Sequence, residues 1–374
     1  MTAIKKVVST VWYDKKYYHE LRNVFPEAEF VYVDFFDKQK LEKEAADADV
    51  AILLGDVDNC LLSSKTLKWI ACDHAGLNGS ARPEVFESGI KVTGAAGRSA
   101  PVLAEHCIYF MLNACYHTKE LLRAQENCQW GVEGSASWKG LYGRTCAVLG
   151  MGNNGRMLAD RLQAFGMKLY LYDKFPIKGY DWAEKKCIQN EGGSVDDILP
   201  ECDFVVLTLP LTDDTYHMFN AERFAKMKKG TVLVNMARGG LVKTDDLIEA
   251  LNNGTISCAG LDVVEEQPLP AESPLWKMEN VYITPHCTPQ VPNRAGRSIE
   301  IIRENARRFR ADEPMKNLLR PSDASTKDTQ GGGWAKLLNA TTEQIKAVPK
   351  AMLEKYLGKM DWTDPSEWNY VDKI

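Results

Sequence analysis

The chain has 374 residues, more than a single hydrophobic core usually serves and a comfortable length for two domains. A hydrophobic content of 45%, a charged content of 26% and a formal net charge of -5 are typical of a soluble globular protein, and they give no reason to expect nucleic acid or an acidic membrane as a partner. No apolar run is long enough to span a bilayer, and MTAIKKVVSTVW is typical of a first strand rather than of a signal peptide, so we expect a cytoplasmic protein.

Short apolar runs alternate with polar, helix-permissive segments along the first hundred residues. The runs are VVSTVWY, EFVYV, DVAILL, LKWIAC and KVTG. Such alternation predicts a parallel β-sheet covered by helices. One long helix is predicted to follow, from about residue 100 to residue 127.

A second α/β series begins at Thr145. TCAVLG, KLYLYD, DFVVLTL, TVLVNM, ISCAGLDV and VYIT predict six strands, the number in a complete dinucleotide-binding sheet. Another long helix is predicted at about 292–311. Because two long helices bracket the second series, we expect residues 100–291 to form a nucleotide-binding domain inserted into a substrate domain made of residues 1–99 and 292–320. Residues 321–374 form an extension, which begins with a glycine-rich linker and continues with apolar residues at helical spacing.

The cysteines and histidines show no metal-ligand spacing. The ten cysteines are scattered without a C-x-x-C pair, mostly inside apolar runs, and the six histidines are isolated. We therefore expect reduced, buried cysteines and predict no metal site.

The strongest local motif is CAVLGMGNNGRMLADRLQAFGMKLYLYDK, residues 146–174. Gly150 permits a tight turn after a strand, Gly152 lets the backbone approach a pyrophosphate, and Gly155 lets the strand and the following helix pack closely. Asn153 and Asn154 begin that helix, whose N-terminus would face the phosphates. The motif predicts dinucleotide binding.

Asp173 ends the next strand, eighteen residues after Gly155. Its carboxylate can accept hydrogen bonds from a ribose 2′-hydroxyl and would repel a 2′-phosphate, which predicts NAD rather than NADP as the cofactor. Lys174 follows it and is a basic residue that could tolerate NADP.

Two isolated residues are candidates for catalysis. Arg238, in VNMARGG, follows a buried strand at the edge of the sheet where ligands bind, and its guanidinium could hold a substrate carboxylate in a bidentate fork. A structural salt bridge explains the arginine equally well. His286, in ITPH, is by itself more often a structural residue than a catalytic one.

Four motifs together resemble the D-isomer-specific 2-hydroxyacid dehydrogenase family over about residues 45–320. They are the glycine motif, ECDFVVLTLPLTDDTYHMFN, MKKGTVLVNMARGGLV, and AGLDVVEEQPLP joined to ITPH. The resemblance implies an α/β protein with two Rossmann-like or flavodoxin-like domains, the dinucleotide-binding domain being inserted into the catalytic one. It also implies NAD as cofactor, a small 2-hydroxy or 2-keto acid as substrate, and a homodimer, for which residues 130–140 are a plausible contact arm.

The resemblance assigns expected roles to individual residues. Arg238 would bind and polarise the substrate, and His286 would exchange the proton of the hydroxyl or carbonyl group. Asp262 would contact the nicotinamide carboxamide. Further cofactor contacts are expected at Thr208, Leu209, Pro210, Thr215 and Ala237, besides Arg238 and His286.

Substrate contacts are expected in the first domain. Backbone amides at about Ala75, Gly76 and Leu77 would hold the substrate carboxylate, and His74 is as well explained as a loop residue as by substrate contact. Arg98 could bind a second acidic group of a substrate, or it could form a salt bridge at the domain hinge.

Gln267 is the clearest departure from the family. The position directly before the proline of the EQP run carries the acid that pairs with the histidine in relatives. Glu265 and Glu266 are interpreted as solvent-exposed charges, although a slip of one residue would make Glu266 the partner. A glutamine can orient the imidazole but supplies no charge, so we expect His286 to be neutral more often near pH 7.

Two alternatives to a 2-hydroxyacid dehydrogenase stay open. Formate dehydrogenases of the same superfamily use a glutamine at the position of Gln267, although they carry an asparagine where this chain has Ser99. A non-catalytic NAD(H)-binding interaction protein, of the type of the C-terminal binding protein corepressors, would share the fold.

Overall fold

The computed structural model describes residues 3–11 and 13–324 and shows two compact α/β units. The first unit contains the described residues up to Arg98 and from Val291 onward, and the second unit is Ser99–Gln290. The predicted extension lies outside the described residues beyond residue 324. No helix in the described part of the chain is both long and apolar enough to cross a membrane.

The first unit is built on a five-stranded, all-parallel sheet in the order β2-β1-β3-β4-β5. Its strands are β1 (Lys6–Ser9), β2 (Glu29–Tyr32), β3 (Val50–Leu53), β4 (Trp69–Cys72) and β5 (Lys91–Gly94). Its helices are α1 (Lys15–Arg22), α2 (Lys38–Ala45), α3 (Pro83–Glu87) and, from the C-terminal part of the chain, α9 (Arg294–Arg310). This strand order is that of flavodoxin-like folds, which confirms the predicted fold class.

Both faces of this first sheet are buried. Val7 packs into a cluster with residues of α1 and α9, whereas its neighbour Val8 packs into a second cluster with residues of α2. Successive side chains of a strand point to opposite faces, so continuous apolar strands require helices on both sides. The helix predicted at about 292–311 is α9.

The second unit is built on a seven-stranded parallel sheet in the order β12-β11-β10-β9-β6-β7-β8. Its strands are β6 (Thr145–Leu149), β7 (Lys168–Asp173), β8 (Lys185–Ile188), β9 (Phe204–Leu207), β10 (Thr231–Asn235), β11 (Ile256–Leu261) and β12 (Val281–Ile283). The prediction of six strands was wrong because it missed β8. That edge strand reads KKCI, with too few apolar residues to be distinguished from a loop.

The helices of the second unit are α4 (Ala100–Cys115), α5 (Thr118–Glu126), α6 (Asn153–Ala164), α7 (Ala221–Ala225) and α8 (Thr244–Asn252). The prediction of one helix from 100 to 127 was wrong, because the chain turns at His117. That residue has a left-handed backbone with φ 45°, which interrupts the helical hydrogen-bond ladder, and its ring stacks on Trp138 at 4.5 Å. Neither glycine nor proline marks the break.

The order of strands in the second sheet places the predicted ligand site. The sheet reverses its direction of strand order between β6 and β9, and ligands of open parallel sheets bind at the carboxyl ends of the two strands that flank such a point. Gly150 directly follows β6 and Thr208 directly follows β9. The glycine motif therefore lies at the switch point.

All ten cysteines are free thiols, and seven of them are buried. Burial raises the pKa of Cys202 to about 12 and that of Cys258 to about 12, so these thiols are inert at neutral pH. The expectation of buried cysteines was wrong for Cys128 and Cys287, which are exposed.

Candidate functional site

The glycine motif forms a loop in which two of its three glycines are sterically required. Gly150 has φ 103°, and a Cβ atom there would lie 2.8 Å from the carbonyl carbon of Thr208. A Cβ atom on Gly155 would lie 1.9 Å from the carbonyl oxygen of Gly150. A Cβ atom on Gly152 would point into open space, with no described atom within 4 Å. The protein itself therefore leaves room for a side chain at Gly152, unlike at Gly150 and Gly155.

Thr208 connects the end of β9 to this loop. Its hydroxyl lies 2.7 Å from the carbonyl oxygen of Gly150 and 3.0 Å from that of Leu149, and its backbone N–H donates to Leu149 at 2.9 Å. The short β-branched side chain of Thr208 thus holds the glycine loop against the end of β9. Thr208 was expected to contact the cofactor, and its contact with the glycine loop was not predicted.

The carboxylate of Asp173 also faces the glycine loop. It accepts hydrogen bonds from the backbone N–H of Met151 at 2.6 Å and from that of Phe175 at 2.9 Å. The Lys174 side chain instead approaches the carboxylate of Asp214, at 3.1 Å. The acid of this pair is thus anchored beside the loop, while the lysine is paired elsewhere.

The segment after β9 continues the predicted cofactor site. Leu209 is buried in the hydrophobic core, so only its backbone is left for a ligand, whereas Pro210 is exposed. The hydroxyl of Thr215 donates to the carbonyl oxygen of Pro210 at 2.8 Å and accepts from the N–H of Thr212 at 2.8 Å. Thr215 therefore closes the turn.

The turn that carries Arg238 follows β10. Asn235, which is 1% exposed, accepts from the N–H of Ala237 at 3.1 Å and donates to the carbonyl oxygen of Arg238 at 2.9 Å. A Cβ atom on Gly239 would lie 1.8 Å from the carbonyl oxygen of Val264. The glycine after the arginine thus lets this turn lie against the segment that carries Gln267.

Gln267 and His286 form a hydrogen bond. The distance between Gln267 Oε1 and His286 Nδ1 is 3.0 Å, and Gln267 Nε2 donates to the carbonyl oxygen of Val264 at 3.1 Å. Because a carbonyl oxygen only accepts, the amide nitrogen must face Val264 and the amide oxygen must face the imidazole. His286 Nδ1 therefore carries a hydrogen, and the neutral imidazole has its acceptor at Nε2.

The turn after β12 fixes the backbone conformation of His286, from which the ring projects. The residue has φ 51°, and its N–H donates to the carbonyl oxygens of Asp262 and Thr284, both at 2.9 Å. Left-handed backbone is uncommon in residues other than glycine and points to a local constraint.

Glu265 is not the solvent-exposed charge that the sequence predicted, whereas Glu266 is exposed. Glu265 Oε1 lies 2.5 Å from His217 Nε2, and Oε2 accepts from the N–H of Thr244 at the start of α8, at 3.0 Å. The backbone N–H of His217 donates to the carbonyl oxygen of Gly240 at 2.8 Å. The prediction was wrong because it judged the position from its neighbours in the chain, and the partner lies forty-eight residues away.

Asp262 is buried and lies at the centre of a polar network. Its Oδ1 accepts from the Thr284 hydroxyl at 2.6 Å and from the N–H of Cys287 at 3.0 Å, and the Thr288 hydroxyl lies 3.4 Å from its Oδ2. Both threonines also contact the ring of His106, a residue that sequence reasoning missed. The only signal was a histidine within an apolar helical run, which also suits an ordinary core residue.

The loop residues predicted to bind substrate in the first unit differ in their exposure. His74 Nε2 lies 3.7 Å from the carboxylate of Asp56, and burial is the largest influence that lowers the pKa of His74. Ala75 is exposed, and Gly76 and Leu77 are half-buried. The loop is therefore accessible at Ala75, while the His74 side chain is largely covered.

Arg98 is buried in an ion pair within the first unit. Its Nη1 lies 2.5 Å from the Asp73 carboxylate, contacts the Asp73 carbonyl oxygen as well, and donates to the Ser298 hydroxyl at 3.2 Å. A salt bridge was one of the two interpretations of this arginine. Binding of a second acidic substrate group stays a prediction.

Comparisons with known proteins place this geometry in context. A family model described as D-isomer specific 2-hydroxyacid dehydrogenase, NAD binding domain, matches residues 108–288. The chain is 33% identical to a hydroxypyruvate reductase of Thermotoga maritima, over 72% of this chain and 87% of the relative. It is 32% identical to a glyoxylate reductase of Korarchaeum cryptofilum, over 73% of this chain and 82% of the relative.

A solved structure has the same fold. It is a D-isomer specific 2-hydroxyacid dehydrogenase of Xanthobacter autotrophicus in complex with NADPH and MES. The TM-score is 0.70 at 26% identity, over 86% of this chain and 99% of that one.

Proposed function

Because the chain belongs to the D-isomer specific 2-hydroxyacid dehydrogenase family, we propose that it interconverts a small 2-keto acid and the corresponding 2-hydroxy acid with NAD(H) as cofactor. The observation that carries this proposal is the hydrogen bond between Gln267 and His286 beside the turn that holds Arg238. It supplies an oriented proton carrier, held by a segment that packs against the turn of Arg238, and this reaction needs a proton carrier and a guanidinium from side chains.

The second unit fits a dinucleotide. The open space at Gly152, the N-terminus of α6 and the carboxylate of Asp173 would hold its pyrophosphate and ribose. When bound, the nicotinamide would supply or accept the hydride. We infer that the open space at Gly152 is where the phosphates lie.

Arg238 and His286 would divide the work on the substrate. The guanidinium would hold the substrate carboxylate and polarise the neighbouring carbonyl group. His286 would give a proton to the carbonyl oxygen during reduction and take it back during oxidation. Gln267 keeps the hydrogen of the neutral ring on Nδ1, so the exchangeable proton is the one that binds Nε2.

Asp173 supports NAD over NADP. Its carboxylate is fixed beside the glycine loop by two backbone N–H groups, where it would repel a 2′-phosphate, and Lys174 is occupied with Asp214. The Xanthobacter protein is described in complex with NADPH, so the family does not decide the choice. Fluorescence titration of the protein with NADH and with NADPH tests it.

The substrate class follows the relatives named above, which are a glyoxylate reductase and a hydroxypyruvate reductase. Oxidation of NADH and NADPH should be measured against a panel of 2-keto acids that includes these two compounds. Turnover of at least one member supports the proposal, and NADH binding without turnover of any member would favour a non-catalytic binding protein.

Formate is the second candidate substrate, and Gln267 is the observation that favours it. The reaction of formate needs no proton transfer, so a neutral glutamine beside the histidine would suffice. Ser99 stands against it, since formate dehydrogenases carry an asparagine there. Reduction of NAD by formate, measured beside the keto-acid panel, decides between the two.

We also propose a homodimer. The segment 130–140 was expected to be a contact arm, and Trp130 in it is fully exposed. A bare tryptophan on a surface is typical of an interface. Light scattering of the protein and of a Trp130→Ser variant should show a dimer that the substitution weakens, and a monomeric parent protein would contradict the proposal.

A further inference from the structure

His106 lies in α4 between the two threonines that surround Asp262. Its Nδ1 is 2.8 Å from the Thr288 hydroxyl, and its Nε2 is 3.1 Å from the Thr284 hydroxyl. The residue is buried, and its ring stacks on Phe110 at 4.8 Å. A Cβ atom on Gly260 would lie 2.5 Å from Phe110, so this glycine allows α4 to approach the sheet closely enough for the contact.

The hydrogen bonds of the network determine the hydrogen positions. The Thr284 hydroxyl has one hydrogen and donates it to Asp262 at 2.6 Å, so it accepts from His106 Nε2–H. The Thr288 hydroxyl has two candidate acceptors, His106 Nδ1 at 2.8 Å and Asp262 Oδ2 at 3.4 Å. The shorter distance indicates that it donates to the ring, which is the arrangement of a neutral His106.

Protonation of His106 would reverse the direction of the hydrogen bond between its Nδ1 and the Thr288 hydroxyl. An imidazolium has hydrogens on both nitrogens, so Nδ1 would donate to Thr288, and the Thr288 hydroxyl would have only Asp262 Oδ2 left as an acceptor in this network. Asp262 Oδ2 would then be engaged by the protein. A carboxylate oxygen can accept two hydrogen bonds, so the contact with Thr288 would weaken Oδ2 as an acceptor for another donor, whereas a neutral ring leaves both acceptor positions of Oδ2 to other donors.

We propose that His106 is a positioning residue for the cofactor: in its neutral form it draws the Thr288 hydroxyl away from Asp262, so that Asp262 Oδ2 can accept a hydrogen bond from the nicotinamide carboxamide. This inference rests on the proposed function, in which Asp262 contacts that carboxamide. NADH binding and the protonation of His106 then oppose each other, and the affinity for NADH falls as the pH falls through the pKa of His106.

The surroundings of the ring favour the neutral form. Burial is the largest influence and lowers the pKa of His106, while the charge of Asp262 acts in the opposite direction. A cavity of about 310 Å³ borders the ring, and its titratable lining groups are Glu105 and Tyr109 from the same helix and Cys287 from the turn after β12. Glu105 lies 3.7 Å from Arg161 and is mostly exposed, whereas Asp262 is buried and is connected to the ring through the two threonine hydroxyls.

Two substitutions imitate the two states. In His106→Asn the amide oxygen can replace Nδ1 as the acceptor from Thr288, so the variant imitates the neutral ring. In His106→Phe the stacking on Phe110 is kept, but Thr288 has only Asp262 as acceptor, so the variant imitates the protonated state. Tyr109→Phe, on the same helix and 5.8 Å from the His106 ring, is the matched control.

The test is titration with NADH by fluorescence between about pH 8 and pH 5.5, with thermal unfolding to confirm that each variant folds. We expect the affinity of the parent protein and of Tyr109→Phe to fall several-fold toward acid pH, and the fall should begin below about pH 6.5 because burial lowers the pKa of His106. His106→Asn should bind tightly with a flatter profile, and His106→Phe should bind about tenfold more weakly across the range.

If the NADH affinity of folded His106→Asn fell toward acid pH as it does in the parent protein, the inference would be overturned, even if His106→Phe failed to fold. A parent protein that binds neither NADH nor NADPH would overturn the proposed function itself, and this inference with it. Loss of the acid limb in both His106 variants, with opposite affinities, supports the positioning role, because a merely structural histidine would change affinity without changing its pH dependence.

Discussion

Glu265 and Gln267 lie two residues apart and hold two different histidines. Glu265 contacts His217 at 2.5 Å, and Gln267 contacts His286 at 3.0 Å. The acid in this segment therefore supports the turn next to Arg238, and the uncharged amide supports the proposed proton carrier. The proposed proton carrier His286 is therefore paired with an uncharged side chain, and the charged side chain of this segment is paired with a different histidine.

Gln267→Glu should raise the pKa of His286, because a carboxylate at hydrogen-bonding distance stabilises the imidazolium. Reduction of a keto acid needs the protonated ring, and its rate falls as the pH rises through that pKa. Reduction by the variant should therefore persist to higher pH, and the rise of hydroxy-acid oxidation should move to higher pH as well. The measurement is kcat/KM against pH in both directions.

Glu266→Gln is the matched control, because Glu266 is exposed and next in the chain. Its profile should coincide with that of the parent protein. Gln267→Glu also loses the donor to the Val264 carbonyl oxygen, at a cost of about 1–3 kcal/mol in the free energy of unfolding. If the folded Gln267→Glu variant kept the parent profile and Glu266→Gln moved it, Glu266 would be the partner of His286.

Glu265→Gln should lower kcat/KM for the keto acid by about tenfold, because a charge-assisted hydrogen bond of about 1.5–3 kcal/mol fixes this segment against the turn that carries Arg238. The same loss is expected for His217→Gln. If the two side chains act through each other, the double variant costs little more than either single one. Fully additive losses would show that the contact does not transmit their effect.

Gly152→Ala and Gly155→Ala should separate cofactor binding from folding. The methyl group of Gly155→Ala would meet the Gly150 carbonyl oxygen, so we expect a loss of about 1–3 kcal/mol in the free energy of unfolding, together with loss of NADH binding. Gly152→Ala meets no described atom and should keep its Tm, yet bind NADH at least about tenfold more weakly if the phosphates lie there. Unchanged binding by Gly152→Ala would place the phosphates elsewhere.

Asp173→Ser should narrow the difference in affinity between NADH and NADPH. The serine hydroxyl can still accept from the backbone, but it no longer repels a 2′-phosphate. We expect weaker NADH binding, by about tenfold, and stronger NADPH binding in fluorescence titrations. Lys174→Met is the control, and a larger change there than in Asp173→Ser would assign cofactor choice to the lysine.

The fold class could be predicted from the sequence because its signals are local. Short apolar runs formed the parallel strands other than β8, each with three to six residues, and a glycine motif between a strand and a helix has one common backbone solution. The position of Gln267 was also predictable, since the adjacent proline leaves little freedom in its alignment. The strand β8 and the break at His117 were missed, because KKCI is weakly apolar and a left-handed histidine carries no local signal.

The partners of charged side chains were decided only by the tertiary structure. Glu265 contacts a histidine that lies forty-eight residues away in the chain, and Arg98 pairs with Asp73. His106 contacts Thr284 and Thr288, which lie 178 and 182 residues further along the chain. Which strands are neighbours, and how closely a helix approaches them at a residue such as Gly260, depends on the packing of the whole unit. A local sequence pattern specifies the backbone of one element and the face it buries, but hydrogen bonds between distant side chains form only after that packing has set their distances.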